Sequence, residues 1–176
     1  SDGGGDGGVG DELAETAVKA SGIPYTIFRA TWFMESFPLF IQNKRIVVVG
    51  KQTVPLHWLA AKDYARMVAR AYQTPEAANK TLYIYGPEAI SMTEAIKRYQ
   101  TAVRPDLTFS QMPIWMLSAM ASLSRNAEMK DVAQFMKYTE KARETGAGDE
   151  ANSLLGKPTT TLSEWCQVQI SEPQLV

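Results

Sequence analysis

The hydrophobic residues of this chain are spaced as in helices over some segments and as in strands over others. Apolar residues recur at helical spacing between residues 11 and 20, and they predict a helix that ends before Gly22. Residues 24–28 alternate in the way that is typical of a short, mostly buried strand. Because helical and strand patterns follow one another along the chain, the sequence predicts an α/β fold.

Further strands and helices are predicted along the rest of the chain. Strand patterns cover residues 46–50, 54–59, 81–85 and 107–112, and the turn at residues 50–53 predicts that the first two form a hairpin. Helical patterns cover residues 63–72, 91–103, 114–123, 129–145, 150–155 and a final segment from Thr161. Ser91 and Glu94 form a capping box, and Asp63 is expected to cap its own helix. The helix over 114–123 is apolar enough to predict that it is buried.

The two ends of the chain are predicted to lie outside the folded domain. Residues 1–10 contain one apolar side chain among many glycines, and they predict a flexible lead or linker. The spacing Gly3-x-Gly5-x-x-Gly8 matches the dinucleotide fingerprint formally, but no strand precedes it and nearby acidic residues would repel a pyrophosphate. We therefore expect one domain over residues 11–170 and a frayed tail over residues 171–176.

Composition narrows the possible partners. The 176 residues carry 18 basic and 19 acidic side chains, a net charge of -1, so nucleic acid is not an expected partner. The basic residues Lys137, Lys141 and Arg143 are interpreted as a solvated helix face. The apolar run over 114–123 is about half the length of a membrane span, so no membrane partner is expected. One cysteine and one histidine offer no metal site, and the single cysteine fits a reducing, cytoplasmic compartment.

Four segments of the chain carry a resemblance to a known family. They are residues 20–38, 56–68, 82–95 and 148–165, and we call them the four family segments. The first contains the turn Ser21-Gly22-Ile23-Pro24 and the loop Arg29-x-Thr31-x-Phe33-Met34-Glu35-Ser36-Phe37, and the last ends in Thr161-Leu162-Ser163-Glu164-Trp165. Together they resemble the NmrA-like, atypical branch of the short-chain dehydrogenase/reductase superfamily over about residues 12–166.

The resemblance implies a fold, a cofactor and a set of site residues. The fold is a partial Rossmann-type, NAD(P)-binding sheet with a small extra sheet and a helical substrate subdomain. The residues implied on the nicotinamide side are Ala30, Thr31, Trp32 and Phe33, which follow a parallel strand. A small apolar molecule is the implied substrate, and the implied substrate-binding residues are Met34, Phe37, His57, Trp58, Met112 and Trp115. The alternative for each is structural: core packing for the aromatic and methionine side chains, and a hydrogen-bonded strand end for His57.

Two features of reductases in the wider superfamily are missing from the sequence. The chain has no Tyr-x-x-x-Lys pair, and it has no strand and glycine turn to hold a pyrophosphate. We therefore assign no catalytic residue and expect NAD(P) to bind this chain alone weakly or not at all. The predicted function is the substrate-side portion of an NmrA-like NAD(P)-binding oxidoreductase, as a fragment or degenerate gene product that is not expected to transfer hydride alone. The alternatives are a non-catalytic module that senses a dinucleotide or an apolar ligand, and a scaffold that forms a homodimer through an unpaired sheet edge.

Overall fold

The structure is a computed structural model that describes residues 6–171, with side chains from residue 13 onward. Its helices are α1 (Asp6–Ala20), α2 (Ala61–Ala71), α3 (Met92–Val103), α4 (Ile114–Ser124), α5 (Ala127–Thr139), α6 (Asp149–Leu155) and α7 (Leu162–Ser171). Its strands are β1 (Thr26–Ala30), β2 (Ile41–Gln42), β3 (Arg45–Val49), β4 (Pro55–His57), β5 (Lys80–Ile84), β6 (Ala89–Ser91) and β7 (Thr108–Met112). The predicted first helix begins at Asp6 rather than at Asp11. Residues 1–5 of the predicted lead and 172–176 of the predicted tail lie outside the described residues.

β1 and β5 form a two-stranded parallel sheet, as the predicted fold class requires. Successive side chains of a strand point to opposite faces, so Leu82 and Ile84 share one face while Tyr83 and Tyr85 share the other. Leu82 and Ile84 are buried in a core with side chains of α2 and α6. The opposite face, which carries the two tyrosines, is the one from which the site is built.

The predicted hairpin between residues 46–50 and 54–59 is wrong. β3 pairs antiparallel with β2 and parallel with β7, whereas β4 pairs antiparallel with β6. The chain after β3 does not turn back on itself, because the buried Gln52 amide donates to the carbonyl oxygens of Val49 at 3.0 Å and Met136 at 2.7 Å. These bonds hold the connection against α5. Residues 6–171 therefore form two small sheets in addition to that of β1 and β5, where one was predicted.

The larger hydrophobic core is centred on aromatic rings between β3, α3 and α7. The Phe37 ring lies 4.8 Å from Trp58, 5.4 Å from Tyr99 and 5.6 Å from Trp165, measured between ring centroids. The Trp58 indole nitrogen donates to the Ile90 carbonyl oxygen at 2.9 Å, which satisfies the one polar atom that this ring brings into the core.

α4 and α5 form a helical hairpin that differs from its prediction in two ways. α4 was expected to be buried, but Trp115 is 71% exposed and Leu123 is 90% exposed, and only Leu117 and Ala121 of this helix are buried. α5 ends at Thr139 rather than at residue 145, and residues 140–148 form an irregular segment that we call the 140–148 segment. None of the helices within residues 6–171 is long and apolar enough to cross a bilayer.

The predicted helix cap at Asp63 is also wrong, because this carboxylate is buried and binds another part of the chain. Ala60 occupies the capping position. Asp63 accepts hydrogen bonds from the amides of Thr159 at 2.9 Å and Thr160 at 2.8 Å, and from Arg66 at 3.1 Å. Burial would raise the pKa of Asp63, but the bonds from Thr160 and Thr159 outweigh it and hold the pKa below its usual value.

Candidate functional site

A cavity opens at the carboxyl end of β1, which is where open α/β sheets bind ligands. Its volume of about 550 Å³ is within the range of small-molecule sites. Four parts of the chain form its walls: the end of β1 with its following loop, Leu56 of β4, Tyr83 of β5 with Tyr85 just after it, and the end of α5 with the 140–148 segment. The lining residues are Arg29, Ala30, Thr31, Trp32, Phe33, Ser36, Leu56, Tyr83, Tyr85, Tyr138, Ala142, Arg143, Glu144 and Thr145.

Arg29 lines one side of the cavity but is committed to other protein groups. Its guanidinium donates to the two carboxylate oxygens of Glu15 at 3.0 and 2.9 Å and to the Tyr83 hydroxyl at 2.8 Å. The hydrogen bond from Arg29 lowers the pKa of Glu15, so the two groups remain an ion pair at neutral pH. The pair connects α1 to the sheet, and the Arg29 guanidinium lies 5.6 Å from the centroid of the Tyr83 ring, which lines the cavity.

The 140–148 segment is held against β4 and β5 by polar contacts at neighbouring residues. Glu144 accepts from the backbone amide of His57 at 2.7 Å, and its second oxygen lies 2.5 Å from the His57 Nδ1 atom. The Tyr85 hydroxyl donates to the Thr145 carbonyl oxygen at 2.5 Å. Burial and the charge of Glu144 raise the pKa of Tyr85, so this phenol stays a hydrogen-bond donor.

Gly146 allows the same segment to lie directly on the aromatic wall. Its φ of 93° is in the region that favours glycine, and a Cβ atom at this position would come within 2.7 Å of the Tyr83 ring. The segment therefore contacts Tyr83 face on, and a side chain at Gly146 would push it away from the cavity.

His57 lies directly behind the lining residues rather than among them. It is the only histidine of the chain. Its carbonyl oxygen accepts from the Thr31 hydroxyl, its Nδ1 atom contacts Glu144, and its ring centroid is 5.5 Å from that of Tyr85. A carboxylate at Nδ1 favours the tautomer that carries its proton there. These contacts are those of a hydrogen-bonded residue that positions Glu144.

The residues predicted for the nicotinamide side come together. Ala30, Thr31, Trp32 and Phe33 all line the cavity, since Ala30 is the last residue of β1 and the other three follow it directly. Whether they contact a cofactor stays a prediction.

The residues predicted for the substrate side are scattered. Met34, Phe37 and Trp58 are at most 1% exposed and belong to the hydrophobic core, which closes them to a ligand in this structure. Trp115 lines a separate cavity of about 560 Å³. Met112 is half-buried at the end of β7 and lines neither of these two cavities. Met34, Phe37 and Trp58 therefore pack in the core, which is their structural alternative, whereas a substrate role for Met112 and Trp115 stays a prediction.

Sequence reasoning missed Tyr83, Tyr85, Tyr138 and Glu144. Tyr83 and Tyr85 fall in the strand predicted over residues 81–85, and their spacing places them on one face, but no site role was predicted for them. The predicted helix over 129–145 concealed Glu144, and no local pattern indicates its pairing with His57, which is 87 residues away along the chain.

The described residues fit one part of a nicotinamide dinucleotide and not the rest. Aromatic rings and the Thr31 loop suit a flat ring. A pyrophosphate needs free amides at a helix N-terminus that follows a strand and a glycine turn. Within residues 6–171, no glycine turn joins a strand to a following helix, and the first amide of α2 donates to Glu35 at 3.0 Å. This part of the chain therefore lacks a pyrophosphate site.

The parallel sheet with a cavity at its carboxyl edge is that of a Rossmann-type α/β fold, and comparison with known structures agrees. An NADPH-dependent quinone oxidoreductase from Escherichia coli superposes with a TM-score of 0.64 at 21% identity, over 91% of this chain and 61% of that one. The model of the NmrA-like family matches residues 13–166, and the chain belongs to that family.

Two curated relatives resemble the chain over about two thirds of its length. Photosystem II assembly factor Ycf39 of Synechocystis sp. is 26% identical over 117 residues, which are 63% of this chain and 35% of that protein. Its counterpart in Trieres chinensis is 22% identical over 113 residues, 62% of this chain and 35% of that protein. The matched region thus spans about a third of the length of these relatives.

Proposed function

We propose that the chain is the substrate-side portion of an NmrA-like NAD(P)-dependent oxidoreductase, and that its cavity binds a small, mostly apolar carbonyl compound or enone. The observation that carries the proposal is the grouping of Trp32, Phe33, Tyr83 and Tyr85 around one cavity beside a parallel strand end. Enzymes of this fold bind ligands at that edge of the sheet. The quinone oxidoreductase that superposes on the chain is named for a substrate of this chemical kind.

The polar groups around the cavity support a ligand with few polar atoms. The Thr31 hydroxyl donates to His57, the Tyr85 hydroxyl donates to Thr145, and Arg29 is bound by Glu15. Because these groups already have protein partners, a ligand gains most of its binding free energy from contact with the rings.

Tryptophan fluorescence tests the proposal, because Trp32 is the one lining residue among the four tryptophans. Acetophenone, a small aryl ketone, is titrated into the wild-type chain and into Trp32→Phe and Trp115→Phe. We expect saturable quenching with a dissociation constant of about a millimolar, the affinity of so small a ligand. Trp115→Phe should keep that saturable quenching and Trp32→Phe should lose it. Linear quenching in the wild-type chain, or loss of saturation in Trp115→Phe alone, would contradict binding at this cavity.

NAD(P) is expected to bind this chain alone with a dissociation constant of about a millimolar or weaker, since neutral amides for the pyrophosphate are lacking in the described part. Calorimetric titration of NADH and NADPH measures this directly. A micromolar isotherm with either cofactor would contradict the expectation.

A non-catalytic ligand-binding module is the second candidate function. The absence of a Tyr-x-x-x-Lys pair from the sequence favours it, and the two curated relatives are named as assembly factors. The candidates differ in turnover once a protein segment with the strand, glycine turn and helix for the pyrophosphate is combined with the chain: oxidation of NADPH in the presence of acetophenone then supports the oxidoreductase. Ligand binding without turnover supports the module.

We also propose that the chain forms a homodimer through the region of α1 and β1. Leu13 is 67% exposed, Val18 is 42% exposed and Ile23 is 69% exposed, and β1 pairs only with β5 among the described residues. Sedimentation velocity should give a dimer that Leu13→Glu combined with Val18→Glu converts to a monomer. Leu123→Glu, an equally drastic change on the exposed side of α4, is the control and should leave the dimer intact. A wild-type monomer at tens of micromolar protein would refute the dimer.

A further inference from the structure

We propose that the cavity selects aryl ligands that carry an acidic group, and that Arg143 binds that group. This inference rests on the proposed ligand-binding function of the cavity and goes beyond it by naming the class of ligand. It follows from two independent properties of the lining, the shape of its walls and the charges that remain without a partner.

The walls of the cavity favour a flat ligand. The rings of Tyr83 and Tyr85 are stacked, 6.4 Å apart between centroids with an angle of 27° between their planes, so they present flat apolar groups to the cavity. On the β1 side, Trp32 is fixed by ring contacts with Trp58 at 6.1 Å and Phe135 at 5.7 Å. Aromatic rings stack on flat apolar surfaces of this kind. An aromatic ring therefore suits the interior better than a branched aliphatic group does.

The charges of the lining leave one cation without a partner. Three ionisable groups of full charge line the cavity, namely Arg29, Arg143 and Glu144. Arg29 is paired with Glu15, and Glu144 is held by the amide and ring of His57. Arg143 has no hydrogen-bond or ion-pair partner among residues 13–171. Its guanidinium keeps all of its donors for a ligand.

The backbone of Arg143 is fixed although its side chain is exposed. The two residues that follow it are anchored, Glu144 to His57 and Thr145 to Tyr85. Arg143 was predicted to lie on a solvated helix face with Lys137 and Lys141. That interpretation is wrong, because α5 ends at Thr139 and only Lys137 lies on it. The end of the helix brings Arg143 to the rim of the cavity.

The geometry also indicates where the acidic group of the ligand lies. Glu144 lines the same wall and repels an anion that lies deep in the cavity. The acidic group is therefore expected at the rim, where the guanidinium of Arg143 offers the paired donors that match a carboxylate. The aryl ring then occupies the interior against Tyr83 and Trp32.

The test compares two ligands of nearly the same shape, 4-acetylbenzoate and 4-acetylbenzamide, by Trp32 fluorescence and by calorimetry. We expect the wild-type chain to bind the benzoate about threefold to tenfold more tightly, the effect of a partly exposed charged hydrogen bond. Arg143→Gln should remove this preference, so that the two ligands bind with about equal affinity. Lys141→Gln removes a cation from the same segment that does not line the cavity, and it should keep the preference.

Each other outcome overturns the inference in a distinguishable way. Equal affinity for the two ligands, or a preference that persists in Arg143→Gln, overturns the inference and leaves the proposed binding of carbonyl compounds standing. A preference that falls equally in Lys141→Gln and Arg143→Gln indicates general attraction of anions and overturns the assignment to Arg143. Binding of neither ligand overturns both this inference and the proposed function.

Discussion

Replacing Asp63 by alanine removes a buried acceptor that joins two distant parts of the chain. Its carboxylate is 5% exposed and receives the amides of Thr159 and Thr160, so it connects α2 to the segment before α7. These residues belong to the second and fourth family segments. The substitution therefore tests whether these two family segments depend on one contact with each other in the folded chain.

The cost of Asp63→Ala follows from the hydrogen bonds it removes. A hydrogen bond to a charged group contributes about 1.5–3 kcal/mol, and two of them reach amides on one segment. Thr159 is exposed and its amide regains water, whereas Thr160 is half-buried, so the lower part of the range applies. We expect a loss of about 2–4 kcal/mol in the free energy of unfolding, which lowers the melting temperature by about 5–15 °C in a chain of this size. Asp63→Asn keeps the shape and one acceptor, and it should cost about half as much.

Urea denaturation at several pH values measures both the size and the sign of the effect. The pKa of Asp63 is lower in the folded chain than in the unfolded one, where it is about 3.8. Its contribution is therefore present above the unfolded pKa and is lost as pH falls through the lower folded pKa. The difference between wild type and Asp63→Asn should be full at pH 7 and shrink in acid.

The matched control is Asp106→Ala, because Asp106 is an exposed carboxylate paired with Arg104 and should leave stability unchanged. A loss of less than about 1 kcal/mol for Asp63→Ala at pH 7 would refute the reasoning, since it would mean that water replaces both hydrogen bonds.

A substitution at Gly146 tests the cavity wall, and chemical labelling of Cys166 tests the core. Gly146→Ala should destabilise the chain by about 2–4 kcal/mol in urea, because left-handed strain adds to the collision with the Tyr83 ring. Gly22 has φ of 74° and open space around it, so Gly22→Ala introduces the strain without a collision and should cost about 1 kcal/mol. Equal losses of stability for the two substitutions would refute the ring contact. Burial raises the pKa of the Cys166 thiol to about 11, so a disulfide reagent at pH 8 should react about 100-fold more slowly than in urea. The stability that the protonated Cys166 thiol contributes is present below the pKa of the unfolded thiol and is lost as pH rises toward 11. Fast labelling of the native chain would contradict the burial of Cys166.

The sequence predicted the elements whose neighbours are close along the chain. The Ser91 cap is an example, because its hydroxyl oxygen accepts from the Glu94 amide within the same turn, as the capping box requires. The pairing of β3 was predicted wrongly, because the choice between a hairpin and a distant partner depends on Gln52 and its bond to Met136. Local spacing carries no information about such a bond. The expected burial of α4 was wrong for the same reason, because the apolar sequence of a helix does not determine which other elements pack against it.

The family segments and the cavity wall have different roles in the molecule. Glu35 of the first family segment accepts from the amide of Ala61 at 3.0 Å and from the indole of Trp165 at 2.9 Å, so one motif residue joins the first, second and fourth segments. Contacts of this kind constrain each segment by another, which accounts for their occurrence together in one family. They also explain why the resemblance predicted the scaffold more fully than the ligand.

The residues that distinguish one ligand from another lie elsewhere along the chain. Tyr138, Arg143 and Glu144 line the cavity but fall between the third and fourth family segments. Their wall is attached to the scaffold through Glu144 and Thr145, while Glu35 and Asp63 hold the segments around it independently. A change at Arg143 therefore alters the charge presented to a ligand without touching the carboxylates that stabilise the fold. Under the proposed ligand binding, selectivity would accordingly be a property of a short surface segment, separable from the fold that defines the family.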